Sequence, residues 1–218
     1  LRLFIIQNSR LKFGISLMLL GFFKKMFFAD NIAPLVNNIF SNPMGMESFS
    51  IILGSIAFGI QVYCDFSGYS DIAIGAAAIL GFKIPLNFNK PFFATSPSDF
   101  WSRWHISLSS WVRDYLYFPL ALKHRRFSSI AFPSLLLSMV VMGLWHGASW
   151  NFVIWGVFHG IFLVVFTILR NKYSKPTEPF FKSKFGKLIS IFVTQYLVFF
   201  TFIVFIVQDF DHMWYAMT

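Results

Sequence analysis

The stretch GLWHGASWNFVIWGVFHG, residues 143–160, decides the fold class. It holds His146, His159, three tryptophans and Asn151, and it contains no Asp, Glu, Lys or Arg. The absence of those four residue types extends from Phe127 to Leu169, a run of 43 residues. A spanning helix needs about 20 mostly apolar residues. The run is therefore long enough for two spans and a tight connection, which falls near His146-Gly147-Ala148-Ser149. KHRR at 123–126 precedes it, and Arg170, Lys172 and Lys175 follow it. Basic residues at both outer ends fit a helical hairpin whose two ends are cytoplasmic.

Composition points the same way along the whole chain. The 218 residues are 56% hydrophobic and only 12% charged, against about 25% charged in a soluble domain. No soluble core would hide 31 phenylalanines in a chain of this size. The net charge of +9 comes from Lys and Arg lying between apolar runs rather than on one face. That pattern suits juxtamembrane positions and not nucleic acid. Cys64 is the single cysteine, which excludes a disulfide framework and a CxxC site. The opening LRLFIIQNSRLKFG lacks a cleavage-site pattern and does not read as a signal peptide. A start at Leu1 and an end at Thr218 suggest a piece of a longer membrane protein.

Further spans follow from the other apolar runs. Leu188 to Gln208 reads as a clear span, separated from the hairpin by a loop over 170–187 with six basic residues and Glu178. Ser48 to Cys64 is another candidate, while Ile72 to Phe82 is too short to cross alone. Residues 11–29 are broken by Lys12, Lys24 and Lys25 and read as a truncated, tilted or interfacial helix. The loop 83–100 ends in Ser96-Pro97-Ser98-Asp99, a capping-box pattern that predicts a helix through WSRWHISLSSWVRDYLYF. Phe100, Trp104, Leu108, Trp111 and Tyr115 recur on it at helical spacing, which makes it an amphipathic helix that lies at the interface or dips partly into the membrane.

Ionisable groups at membrane depth are costly and face a protein interior or a watery cavity. His146, His105, His159, Asp65 and Asp71 are the candidates. His146 reads either as an interfacial histidine in a Trp-rich belt or as a general base, since imidazole takes a proton near neutral pH. Gly143 and Gly147 flank Trp145-His146 and would admit a substrate or a neighbouring helix. His105 reads as a locally bonded helix residue, and His159 as a hydrogen-bond partner of a neighbouring helix. Asp65 and Asp71 flank a Gly-Tyr-Ser turn and read as structural. Asp99 and Arg103 form an i,i+4 pair. No residues stand at metal-ligand spacing, so no metal is expected.

Four blocks together resemble the membrane-bound O-acyltransferase family. They are KKMFFADNIAPLVNNIF (24–40), QVYCDFSGYSDIAIGAAAILGFKIPLNFNKPF (61–92), SDFWSRWHISLSSWVRDYLYFPL (98–120) and GLWHGASWNFVIWGVFHG (143–160). The resemblance is to the bacterial alginate O-acetyltransferase-like branch, and it covers about residues 13–170. The chain resembles the central and C-terminal part of that family's members. It departs from the branch after Tyr117-Phe118-Pro119-Leu120, where ALKHRR replaces a Gly-Gly-Asn/Ser-Arg turn. A Trp-x-Phe-Phe-Arg pattern common near the C-terminus is likewise replaced by FIVFIVQDF.

The resemblance implies an all-α, polytopic membrane protein of spanning and re-entrant or interfacial helices around a funnel, with residues 1–218 as one membrane-embedded fragment. It places the family's invariant histidine on His146 and its second active-site histidine on His105. It implies acyl transfer from an acyl thioester such as acetyl-CoA, with no bound cofactor, across a bacterial inner membrane. The acceptor is a polysaccharide hydroxyl or a periplasmic partner acyltransferase. Trp145, Trp104 or an imidazolium is the expected donor to the developing oxyanion. The wording of DFSGYSD and RDYLYFPL favours this branch over the one that D-alanylates teichoic acid. A transporter with broken helices is the alternative from a different class.

Overall fold

A computed structural model describes residues 7–123 and 131–218. Most of the described residues are helical, with no strand among them. They form two compact units, one ending at Asn87 and one beginning at Phe88.

The first unit is built on α1 (Asn8–Phe22), α2 (Asp30–Ser41) and α3 (Ser48–Ile79). A π-helical segment, Phe23–Ala29, joins α1 to α2. The ambiguous 11–29 region is thus helical throughout. Helices α1 and α3 pack closely because Gly14 and Gly21 of one meet Gly75 and Gly68 of the other. A Cβ on Gly21 would lie 2.5 Å from the Gly68 carbonyl oxygen. Small residues at such a crossing let two backbones approach in lipid, where packing rather than water drives association.

Helix α3 corrects the sequence reading of residues 48–82. Instead of one span, a Gly-Tyr-Ser turn and a short second piece, it is one helix of 32 residues running through DFSGYSD. A break there would expose backbone groups with no water to satisfy them. The two carboxylates are tolerated because lysines of the π segment neutralise them. Lys24 Nζ lies 2.6 Å from Asp71 Oδ2, and Lys25 Nζ lies 2.6 Å from Asp65 Oδ1 and 3.1 Å from Asp30 Oδ1. Asp65 and Asp71 are therefore ion-paired, in keeping with their structural reading.

The second unit holds α4 (Pro97–Trp101), α5 (Ile106–Val112) and α6 (Phe118–Lys123). A π-helical turn, Arg113–Tyr117, joins α5 to α6. Three longer helices follow, α7 (Ala131–His146), α8 (Trp150–Lys182) and α9 (Lys184–Ile206), and then α10 (Phe210–Met217). Helices α7 and α8 form the expected hairpin, and the connection is Gly147-Ala148-Ser149. Ser149 caps α8 by accepting from the Asn151 N–H at 3.4 Å. A Cβ on Gly156 would stand 2.5 Å from the Met139 carbonyl oxygen, so the two arms touch through backbone. The space beside Gly143 and Gly147 is filled by Phe152 of α8, which makes the neighbouring helix, and not a substrate, the reason for those glycines.

Two further sequence expectations change. The loop placed over 170–187 is mostly helix, because α8 continues to Lys182. At 1.5 Å per residue its 33 residues reach about 50 Å. That exceeds the roughly 30 Å hydrocarbon core, so the basic end projects beyond it. The expected continuous helix after Ser96 breaks at Ser102–His105 and restarts at Ile106. The aromatic stripe is split accordingly. Phe100 and Trp104 are buried, whereas Trp111 and Tyr115 are exposed, Tyr115 by 70%. Of the KHRR motif, residues 124–126 lie outside the described residues.

Among the described residues, three helices are long and apolar enough to cross a membrane: α3, the Trp150–Tyr173 part of α8, and α9. The chain is an all-α membrane protein, as its composition indicated.

Candidate functional site

Local chemistry at the start of α4 creates the geometry around His105. Ser96 Oγ accepts from the Asp99 N–H at 3.0 Å and starts the helix. Asp99 does not return the bond to Ser96, as a strict capping box would. Its carboxylate instead accepts from the Thr95 N–H at 3.0 Å and from Arg103 Nε at 2.6 Å. Burial works against the ionised form, but these bonds outweigh it and hold the Asp99 carboxyl below its usual range. Beyond Arg103 the chain turns at His105, whose φ of 44° and ψ of 54° are left-handed. Few side chains adopt that region without glycine's freedom. The turn lifts the His105 ring out of the helical register that the sequence predicted.

The ring of His105 then meets Trp145, with centroids 5.9 Å apart and planes at 72°. Trp145 in turn stands edge-on to His146 at 5.0 Å. The two histidines that the resemblance singled out are thus brought to one indole from positions 41 residues apart in sequence. Burial first, and then the nearby His146, lower the His105 pKa to about 4. At neutral pH His105 is therefore uncharged. It serves as a hydrogen-bonding group, and Ser107 Oγ lies 3.4 Å from its Nδ1.

His146 is the last residue of α7 and is half-buried. Besides Trp145 its ring meets Trp155 at 5.3 Å, Phe205 at 5.1 Å and Phe152 at 6.1 Å. An aromatic collar thus surrounds one imidazole at the hairpin tip. An open cavity of about 620 Å³ begins two residues further on, lined by Ala148, Ser149, Trp150, Asn151 and Phe210 among others. Asn151 is fixed in its wall by donating to the Val207 carbonyl.

His159 is 2% exposed and lies deeper in the same unit. Its Nε2 sits 3.0 Å from Thr201 Oγ1 of α9, which matches its expected role as a partner of a neighbouring helix. Trp155 and Trp101 pack against it at 4.7 and 5.1 Å. Neither tryptophan was marked by the sequence reading, although Trp155 and His159 are i,i+4 neighbours and must share a helix face. Trp145 and Trp104, the expected indole donors, differ in setting. Trp145 is 62% exposed, whereas Trp104 is buried among Phe88, Phe92, Phe100 and Phe202.

Two half-buried imidazoles that meet the same indole, one of them ringed by aromatic side chains two residues from an open cavity, are placed to accept and return a proton. Comparison with known proteins gives this arrangement a family. The profile of MBOAT, the membrane-bound O-acyltransferase family, matches residues 5–210. The chain belongs to the membrane-bound O-acyltransferase family.

Several curated relatives are similar over most of the chain. The "Probable alginate O-acetylase AlgI" of Azotobacter vinelandii is 46% identical over 152 residues, 69% of this chain and 30% of the relative. The "Peptidoglycan O-acetyltransferase" of Helicobacter pylori is 40% identical over 167 residues, 77% of this chain and 31% of the relative. The "Teichoic acid D-alanyltransferase" of Streptococcus thermophilus is 34% identical over 165 residues, 68% of this chain and 39% of the relative. The matched region thus spans between 30% and 39% of these relatives' length.

Proposed function

We propose that the protein carrying this chain is an O-acyltransferase of a bacterial inner membrane. It moves an acyl group, in the favoured reading acetyl, from a cytoplasmic thioester such as acetyl-CoA to a hydroxyl of an exported polysaccharide. The group travels either directly or through a periplasmic partner acyltransferase. The observation that carries the reading is the meeting of His105 and His146 at the Trp145 ring, in a chain of this family.

In this mechanism His146 accepts the proton of the acceptor hydroxyl as its oxygen attacks the thioester carbonyl. A C–O bond forms, the C–S bond breaks, and the thiol leaves with the proton returned from His146. His105, neutral at working pH, orients the thioester or the attacking group by hydrogen bonding. The relatives named for alginate and for peptidoglycan support a polysaccharide acceptor.

The test is the O-acetyl content of the exported polysaccharide in cells expressing the intact protein or its His146→Ala variant at matched membrane levels. Loss of acetyl groups with normal insertion supports the reading. Unchanged acetylation overturns it and makes His146 structural. The relative named for D-alanyl transfer supports a second acyl group, and assaying D-alanine esters in the same cells separates the two.

A further inference from the structure

An imidazole buried in an aromatic nest is hard to explain by packing. His159, Trp101 and Trp155 form a closed triangle of rings, with centroid separations of 4.7, 5.1 and 5.7 Å. All three are nearly sealed from solvent. The nest already strands two donors, because the indole N–H groups of Trp101 and Trp155 find no partner among the described residues. Each buried, unpaired polar group costs free energy. A phenylalanine at position 159 would fill the same space without adding another polar ring. The nitrogen of His159 is therefore there for what it binds.

What it binds is fixed from the α9 backbone. Thr201 is fully buried, and its hydroxyl donates to the Val198 carbonyl at 2.7 Å. A hydroxyl has one proton. Thr201 Oγ1 therefore accepts from His159 Nε2–H, 3.0 Å away, which sets both the tautomer and the ring plane of His159. Trp155, 4% exposed, stands between two histidines. It is 4.7 Å from His159 on one side and 5.3 Å from His146 on the other, at steep interplanar angles to both.

We propose that His159 is a positioning residue for His146. Thr201 holds it through Nε2, and it acts through the clamped ring of Trp155. The proposal rests on the acyltransferase reading of His146. Orientation of this kind is needed because a displacement of about 1 Å at a reacting group costs about 100-fold in rate.

The experiment uses the intact protein in membrane vesicles, with radiolabelled acetyl-CoA as the probe and polysaccharide from the same cells as acceptor. Thr201→Val keeps the shape and removes the hydroxyl. It should lower kcat by about 100-fold with KM for acetyl-CoA unchanged, and Thr201→Ser should restore most of the rate. Wild-type kcat in Thr201→Val at equal membrane levels overturns the proposal. So does a loss that Thr201→Ser fails to relieve. If Thr201→Val does not insert, His159→Phe replaces it, with the same fall in kcat expected and the same unchanged rate overturning the role. His146→Ala is run alongside. Persistent transfer in that variant refutes the acyltransferase reading itself. Abolished transfer there, beside full activity in Thr201→Val, removes only the positioning role.

Discussion

Lys24 Nζ donates to Asp71 Oδ2 at 2.6 Å, joining the π-helical turn after α1 to the C-terminal part of α3 across 47 positions of chain. The pair is mostly buried, with side-chain exposures of 23% and 16%. Removing one member leaves the other as a mostly buried charge without its partner. Loss of one partner of such a pair typically costs about 3 kcal/mol. Asp71→Asn should therefore destabilise the protein by about that amount, and so should Lys24→Met. The double variant Lys24→Met/Asp71→Leu should recover most of the loss, a coupling that thermal unfolding in detergent measures directly. Additive losses in the double variant would mean that the ion pair is incidental.

That contact also shows where sequence reading stops. The uncharged hairpin, its tip at 147–149, the α9 span and the Ser96 cap were legible because each rests on local pattern: apolar length, glycine, a capping side chain. The continuity of α3 was not legible, because the two aspartates that suggested a break are neutralised by lysines from another helix. The bend at His105 was hidden as well. Its aromatic spacing is helical, and the left-handed backbone at His105 that ends the run has no signature in that spacing. His146 and His105 could be named from motifs. Their meeting at Trp145, and the His159–Thr201 bond, depend on tertiary placement that no spacing encodes.

The left-handed backbone of His105 separates its conformational role from its chemical one. Asparagine adopts that region readily, whereas a β-branched residue does not. His105→Asn should insert and fold like the native protein yet lose most acyl transfer, because the ring facing Trp145 is gone. His105→Ile should lose about 1–2 kcal/mol of stability in addition. Comparing membrane level and transfer rate for the two variants distinguishes the effects. Full activity in His105→Asn would show that the imidazole is dispensable.

The lowered pKa of His105 predicts a pH dependence of stability with a definite sign. Its folded pKa is about 4, below the value near 6.5 of an unfolded histidine. Between those values the unfolded chain binds more protons than the folded one, so this residue makes stability rise with pH. Its contribution is fully present above about pH 6.5 and is lost as the pH falls toward 4. The melting temperature of the native protein should therefore fall more steeply over that window than that of His105→Asn. Parallel curves for the two proteins would contradict the burial of this ring.

The hairpin that carries His146 should be unusually sensitive at Gly156. A methyl group there would stand 2.5 Å from the Met139 carbonyl oxygen and under 3 Å from the Val140 Cα. Both obstacles are backbone atoms, so no side-chain rotation relieves them. The arms must separate, and overpacking of this kind costs about 1–3 kcal/mol. Separation would also move Trp155, one residue away on α8, against which the His146 ring packs. Gly156→Ala should therefore lower both the melting temperature and acyl transfer. Gly45→Ala serves as the control, because the nearest atom to a methyl there is 3.5 Å away on the Asn42 side chain. If Gly156→Ala is as stable and as active as that control, the α7–α8 crossing tolerates more space than its backbone contact implies.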